Sequence, residues 1–340
     1  MNLADLNKVA QAMTAPGKGI LAADESSGTI KKRFDAINVE STEDSRRDYR
    51  EMLFRSAEGM KHISGVILYD ETIWQKAKDG TPLVDIIKKA GSIPGIKVDE
   101  GVQPLPGCPG ETITVGLDKL AERLKKYHEQ GARFAKWRAV IDIAAGIPTY
   151  SAIRANTHAL ARYAALCQAA NIVPIVEPEV LMDGDHDIDR CYQVTELVLK
   201  AQFEELYFNR VALEGMVLKP NMAISGKKNG KRAGVDEVAQ MTVRMLKNCV
   251  PGAVPGIAFL SGGQSDGEAT AHLDAMNKIG NLPWKLTFSY GRALQAAPQK
   301  AWAGKAENVA AGQSAFSHRA RMNGLASRGE WQSSLEQKAA

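Results

Sequence analysis

The segment RFAKWRAVI at residues 133–141 is separated from IVPIVEPEV at residues 172–180 by Ala152–Ala170, a stretch of helical length and pattern. Each apolar run suits one buried strand, and the segment between them is long enough for the crossover that joins two parallel strands. The same unit recurs in both directions along the chain. Further apolar runs ending in a polar residue or glycine lie at Gly19–Asp24 (GILAAD), Ser64–Asp70 (SGVILYD), Ile93–Asp99 (IPGIKVD), Gly215–Asn221 (GMVLKPN), Gly256–Gly262 (GIAFLSG) and Leu286–Gly291 (LTFSYG), which makes eight in all. Helical patterns fall between them at Thr42–Lys61, Leu117–Gln130, Asp187–Asn209 and Gly234–Cys249. Alternating strand and helix call for an α/β fold with a parallel sheet, and eight units is the number that closes a TIM (β/α)8 barrel. A doubly wound open sheet competes with it, but no GxGxxG follows the first strand.

The chain has 340 residues, 44% hydrophobic and 24% charged, which is ordinary globular composition. Its 43 Lys plus Arg against 39 Asp plus Glu leave a net charge of +4, too small to argue for a nucleic acid or a membrane as the main partner. Four cysteines, Cys108, Cys167, Cys191 and Cys249, are scattered without a CxxC pair, so neither a disulfide framework nor a structural zinc site is expected. The amino terminus MNLADLNKVAQAM reads as a helix rather than a signal peptide, and no apolar run reaches 18 residues. A soluble cytoplasmic protein fits these features.

A barrel builds its site at the carboxyl ends of its strands. Asp24 closes the first run, Lys97 and Asp99 the third, Lys136 and Arg138 lie within the fourth, Glu177 and Glu179 within the fifth, Lys219 closes the sixth, Ser261 lies in the seventh and Arg292 follows the eighth. Lys136 and Lys219 sit inside otherwise apolar runs. A lysine so placed must find an anion, lose its proton or reach the mouth of the core. A desolvated amine near other cations attacks carbonyls to give a Schiff base; the alternative is a lysine that snorkels or pairs with a glutamate. Strand alternation puts Lys136 and Arg138 on one face with Trp137 packing outward, and likewise pairs Glu177 with Glu179. Such a mixed cluster supports general acid–base chemistry, although a solvated rim network would use the same residues.

LSGGQS (260–265) and SYGRALQ (289–295) follow the last two runs, where barrels bind phosphoryl groups; glycines expose backbone N–H groups and Arg292 adds a planar charged fork. The histidines show no metal spacing. DGDHD (183–187) lacks the ligand pattern of an EF-hand and reads as a helix start capped by Asp185 or Asp187. Neither a metal nor a cofactor is expected.

In order along the chain, AADESSGTIKKR (22–33), GIKVDEG (95–101), FAKWRAV (134–140), PIVEPEVLMDGDHD (174–187), VLKPNM (217–222), FLSGGQS (259–265) and FSYGRALQ (288–295) resemble class I fructose-1,6-bisphosphate aldolase from about residue 10 to about residue 325. The resemblance implies a TIM barrel, usually a homotetramer, that cleaves a phosphorylated sugar through a lysine Schiff base without metal. It implies Lys219 as the Schiff-base lysine, Glu177 as the acid–base group of carbinolamine formation and dehydration, and Glu179 as its neighbour near the amine. Lys136 and Arg138 become cations near the reacting centre, and Asp24 the acid that aligns substrate for C3–C4 cleavage. Ser261, Gly262, Gly291 and Arg292 fall at the C1 phosphate, and Ser26, Thr29 and Lys97 on the C6 side, with Thr29 where animal enzymes usually carry serine.

The chain departs from the family in its tail. Many members end in a tyrosine that assists proton exchange at the enamine, whereas EWQSSLEQKAA (330–340) has none, so enamine protonation is expected to fall to another group or to water, with Glu177 the obvious substitute. Residues 1–323 are expected to hold the barrel with an amino-terminal helix and a helical carboxyl-terminal arm over Ala293–Arg321, with 324–340 a loosely held tail. Another Schiff-base barrel, of transaldolase type or preferring a monophosphate, and a non-catalytic anion-binding scaffold are the competing functions.

Overall fold

Eight parallel strands close into a barrel in a computed structural model of the chain, which describes residues 1–338. In chain order the strands are β1 (Gly19–Ala23), β2 (Ile63–Leu68), β3 (Ile93–Lys97), β4 (Val102–Pro104), β5 (Thr112–Thr114), β6 (Phe134–Ile141), β7 (Val173–Val180), β8 (Val217–Leu218), β9 (Gly256–Phe259) and β10 (Lys285–Tyr290). The hydrogen-bonded circuit runs β1-β10-β9-β8-β7-β6-β3-β2 and returns to β1, while β4 and β5 pair antiparallel outside it. This is the TIM barrel that the eight apolar runs imply. Sequence gives little warning of the outer ribbon, because both its strands are short and its first is exposed throughout.

Strand β7 is buried at every position, as a strand must be when helices cover one side and the barrel interior the other. Alternation along β6 sorts its residues between these two environments. Phe134 joins Ile20, Ile67, Val173, Ile175, Val217 and Ala258 in a buried interior cluster, whereas Trp137 faces outward and its ring lies 5.6 Å from that of Tyr163 on the helix Tyr150–Ala169. Phe134 leaves no room beside it: a Cβ on Gly95 would stand 2.2 Å from its ring. The helix Leu3–Met13 adds Leu6, Ala10 and Met13, one stripe of its surface, to the same cluster and lies across the amino-terminal end of the barrel. The lower interior is therefore apolar, and charged side chains enter only above it.

Strand β8 is short for a covalent reason. The Lys219 amide still donates to the Val176 carbonyl at 2.8 Å, but Pro220 has no N–H with which to continue the ladder.

Three outer segments differ from the sequence expectation. Residues 42–61 form two helices, Glu43–Phe54 and Ala57–Met60, separated where the Ser56 hydroxyl meets that of Ser317 at 3.0 Å. The alanine-rich arm also divides, into Arg292–Trp302 and Val309–Ala326, because Ala303 and Gly304 both adopt positive φ. Described residues of the expected tail make side-chain contacts: the Trp331 amide donates to Asp274 at 2.9 Å, and Glu336 receives Arg319 at 2.6 Å and His318 at 3.0 Å.

Candidate active site

Above the Phe134 layer lies a cavity of about 820 Å³, and every candidate residue named from the sequence lines it: Asp24, Ser26, Thr29, Lys97, Lys136, Arg138, Glu177, Glu179, Lys219, Ser261, Gly262, Gly291 and Arg292. Sheet register brings them together. Lys97 is paired with Lys136 and Arg138 with Glu177, and partners across parallel strands point the same way. Ile175 and Val176 pair with Val217 and Leu218, so the next position sets Glu177 level with Lys219.

Lys219, Lys136 and Glu177 are 4%, 5% and 3% exposed, so their charges must be met by one another. Lys219 Nζ lies 3.1 Å from Glu177 Oε1, and Lys136 Nζ lies 3.7 Å from Glu177 Oε2 and 2.7 Å from Asp24. Burial pushes the Asp24 carboxyl up, but the Lys136 and Lys219 charges outweigh it and hold the group at about 2, well below its usual value. Burial likewise acts against the Lys136 ammonium, and Asp24, Glu177 and Asp99 overcome it, so Lys136 keeps its proton more firmly than a free lysine. At the next level outward Arg138 pairs with Glu179, whose charge outweighs desolvation and strengthens the guanidinium.

The two ends of the cavity are built differently. At one, Ser26 precedes the helix Ser27–Asp35, its hydroxyl 3.2 Å from that of Thr29, with Lys97 nearby holding Asp99 at 2.8 Å. Hydroxyls and N–H groups at a helix start suit an anion. At the other, Ser261 and Gly262 follow β9, and Gly291 and Arg292 follow β10. A side chain at 262 would crowd Glu179, since a Cβ there would stand 3.0 Å from its carboxylate. Arg292 rests against the wall, 3.3 Å from the Asp266 carboxylate and bonded to the carbonyls of Ser261 and Gln264.

Several lining residues were assigned no role from the sequence. Asp99 ends its apolar run, yet only the structure shows it bound to Lys97 and 4.0 Å from Lys136. Arg33 closes AADESSGTIKKR four residues after Thr29 on the same helix, a spacing that shares a face, and pairs with the buried Glu25. Ser289, Tyr69, Arg123 and Tyr127 come from positions with no polar signature of their own. DGDHD starts a helix, with Asp187 accepting from the Arg190 amide at 2.8 Å. Among the described residues no group of three or more His, Cys, Asp or Glu is arranged to hold a metal ion, and no helix is long and apolar enough to cross a membrane.

A buried amine sharing a carboxylate with a second ammonium, between two anion-suited walls, matches the family suggested by the motifs. The family model described as class-I fructose-bisphosphate aldolase matches residues 5–340. The chain belongs to the class I fructose-bisphosphate aldolase family. It is 55% identical over 332 residues to a probable class 1 aldolase of Xanthomonas campestris, covering 97% of this chain and 99% of that one. It is 54% identical over 315 residues to a cytosolic aldolase of Arabidopsis thaliana, covering 92% of this chain and 80% of that one. The solved aldolase of Plasmodium falciparum superposes with a TM-score of 0.96 at 48% identity, covering 97% and 96% of the two chains. This aldolase is accordingly a lyase of glycolysis, of the metal-independent class, acting on a phosphorylated sugar.

Proposed function

We propose that this aldolase cleaves fructose 1,6-bisphosphate to dihydroxyacetone phosphate and glyceraldehyde 3-phosphate through an imine on Lys219. The approach of Lys219 Nζ to Glu177 Oε1 at 3.1 Å, between two buried side chains, carries the reading. Glu177 takes the proton that the amine must lose, and the neutral nitrogen adds to the C2 carbonyl. The same carboxyl returns a proton to the carbinolamine hydroxyl, which leaves as water and gives the cationic imine. Lys136 stays an ammonium and stabilises negative charge developing on substrate oxygens, while the ionised Asp24 aligns the C4 hydroxyl. The C3–C4 bond then breaks with its electron pair drawn into the imine, the C4 hydroxyl proton passes to the Glu177 carboxylate as the aldehyde forms, and the same carboxyl delivers it to C3 of the enamine before water hydrolyses the imine and releases the ketone.

Arg138 and Glu179 orient the reacting centre. Ser261, Gly262, Gly291 and Arg292 receive the C1 phosphate, and Ser26, Thr29 and Lys97 the C6 phosphate; a cavity of about 820 Å³ with cations at both ends suits a substrate charged at both ends. Residues 1–323 act as one barrel unit with 324–340 as its tail. The aldolase works in the cytoplasm, as the name of its Arabidopsis thaliana relative supports. It assembles as a homotetramer, for which the exposed aromatic pair Tyr207 and Phe208 is a suitable contact.

Borohydride reduction in the presence of dihydroxyacetone phosphate tests the reading. One adduct at Lys219, absent from Lys219→Met, is expected, together with a loss of kcat on the order of 10³-fold or more in that variant. Absence of an adduct, or an adduct elsewhere, would overturn it.

A further inference from the structure

Arg292 reaches the cavity wall, yet its counter-ion is on the far side of the loop. Asp266, the first residue of the helix Asp266–Ile279, holds Arg292 at 3.3 Å through its carboxylate, while its carbonyl accepts from Arg319 at 3.1 Å. Arg319 is 6% exposed and also donates to Thr270 at 2.6 Å, so it is fixed against this helix. Its charge is met from the carboxyl-terminal turn Ser333–Lys338, where Glu336 accepts from it at 2.6 Å. Glu336 is itself held by His318 at 3.0 Å and by the Trp331 indole at 3.2 Å. A line of contacts thus runs from Glu336 through Arg319 to the Asp266 backbone, and from the Asp266 carboxylate, which feels the Arg319 charge, to Arg292 at the phosphate wall.

We infer that Glu336 is a positioning residue for Arg292, acting through Arg319 and Asp266, so that the carboxyl-terminal segment sets how readily the arginine leaves the wall for a substrate phosphate. With Glu336 in place, Arg319 is neutralised and the Asp266 carboxylate remains free to hold Arg292. Without it, the uncompensated Arg319 draws on Asp266, Arg292 loses its counter-ion, and a phosphate meets less competition. Arg319 is buried and Glu336 and Asp266 are largely shielded, and charges so placed act on one another more strongly than exposed pairs do.

The inference rests on the reading of Arg292 as a phosphate ligand, which Arg292→Ala tests by itself. That variant is expected to raise KM for fructose 1,6-bisphosphate and weaken inhibition by inorganic phosphate; if neither changes, the ligand reading falls. If it holds, Glu336→Gln and Asp266→Asn are each expected to lower KM by about two- to five-fold with kcat retained, and the double variant to go no further than the larger single one. Tighter inhibition by inorganic phosphate should accompany each. A merely structural tail would change melting temperature without this KM and kcat split. Unchanged or raised KM in Glu336→Gln, or fully additive shifts in the double variant, would overturn the inference.

Discussion

Lys136 and Lys219 share the carboxylate of Glu177, one oxygen 3.7 Å from the first ammonium nitrogen and the other 3.1 Å from the second nitrogen. The two lysines are not equivalent. Lys136 has Asp24 at 2.7 Å and Asp99 at 4.0 Å as further anions, which hold it as an ammonium.

Glu177→Gln keeps the shape and removes the shuttle. It is expected to lower kcat by about 10²–10⁴-fold, with slower imine formation visible in single-turnover borohydride trapping. A variant with undiminished single-turnover trapping would assign the proton transfers to another group.

Asp24 gives the acid side of the stability profile a definite sign. Its folded value of about 2 lies below its ordinary 3.8, so its contribution is present above about 4 and is lost as pH falls through about 2. Lys136→Met removes the main cause. The fall in melting temperature between about pH 4 and pH 2 should be shallower in the variant than in the parent, and superimposable acid limbs would contradict the assignment.

His272 acts in a higher window. Burial lowers it from 6.5 to about 4, and its Nδ1 lies 2.6 Å from the Gln264 amide oxygen, within the loop that carries Ser261. A histidine kept neutral by folding contributes stability above about 6.5 that is lost progressively down to about 4. His272→Asn should flatten the melting-temperature profile across this interval while leaving the region above pH 7 sloped as before.

Deleting residues 327–340 is expected to leave kcat for cleavage little changed, since among the described residues none of this segment lines the cavity. The deletion also removes the Ser327 hydroxyl, which accepts from the buried Gly17 amide at 2.9 Å, and an orphaned buried donor costs about 1–3 kcal/mol. A fall of a few degrees in melting temperature should therefore accompany near-normal kcat. A large selective loss of proton exchange on dihydroxyacetone phosphate would show instead that the tail supplies a catalytic proton.

The barrel and the centre of the site were legible in the sequence for one physical reason. In a strand buried on both faces, a charge such as Lys136, Glu177 or Lys219 stands out against its apolar neighbours, and two-residue alternation says which of them share a face. Arg33, Arg123 and Tyr127 lie on helices of mixed polarity, where a cavity-facing side chain looks like any solvated one. The helix breaks at Arg55–Ser56 and at Ala303–Gly304 depend on what packs against them, Ser317 in the first case. Glu336 carries no local mark at all, because its partner Arg319 belongs to another helix.

The layering along β6 separates two sets of requirements on the same strand. Phe134 answers to packing, and Lys136 and Arg138 answer to the reaction, so mutational tolerance should change character within a single turn of the pleat. A library restricted to the upper inward positions would sample new aldehyde acceptors on an unchanged scaffold. One restricted to the lower positions would sample folding yield without altering the chemistry of the molecules that do fold.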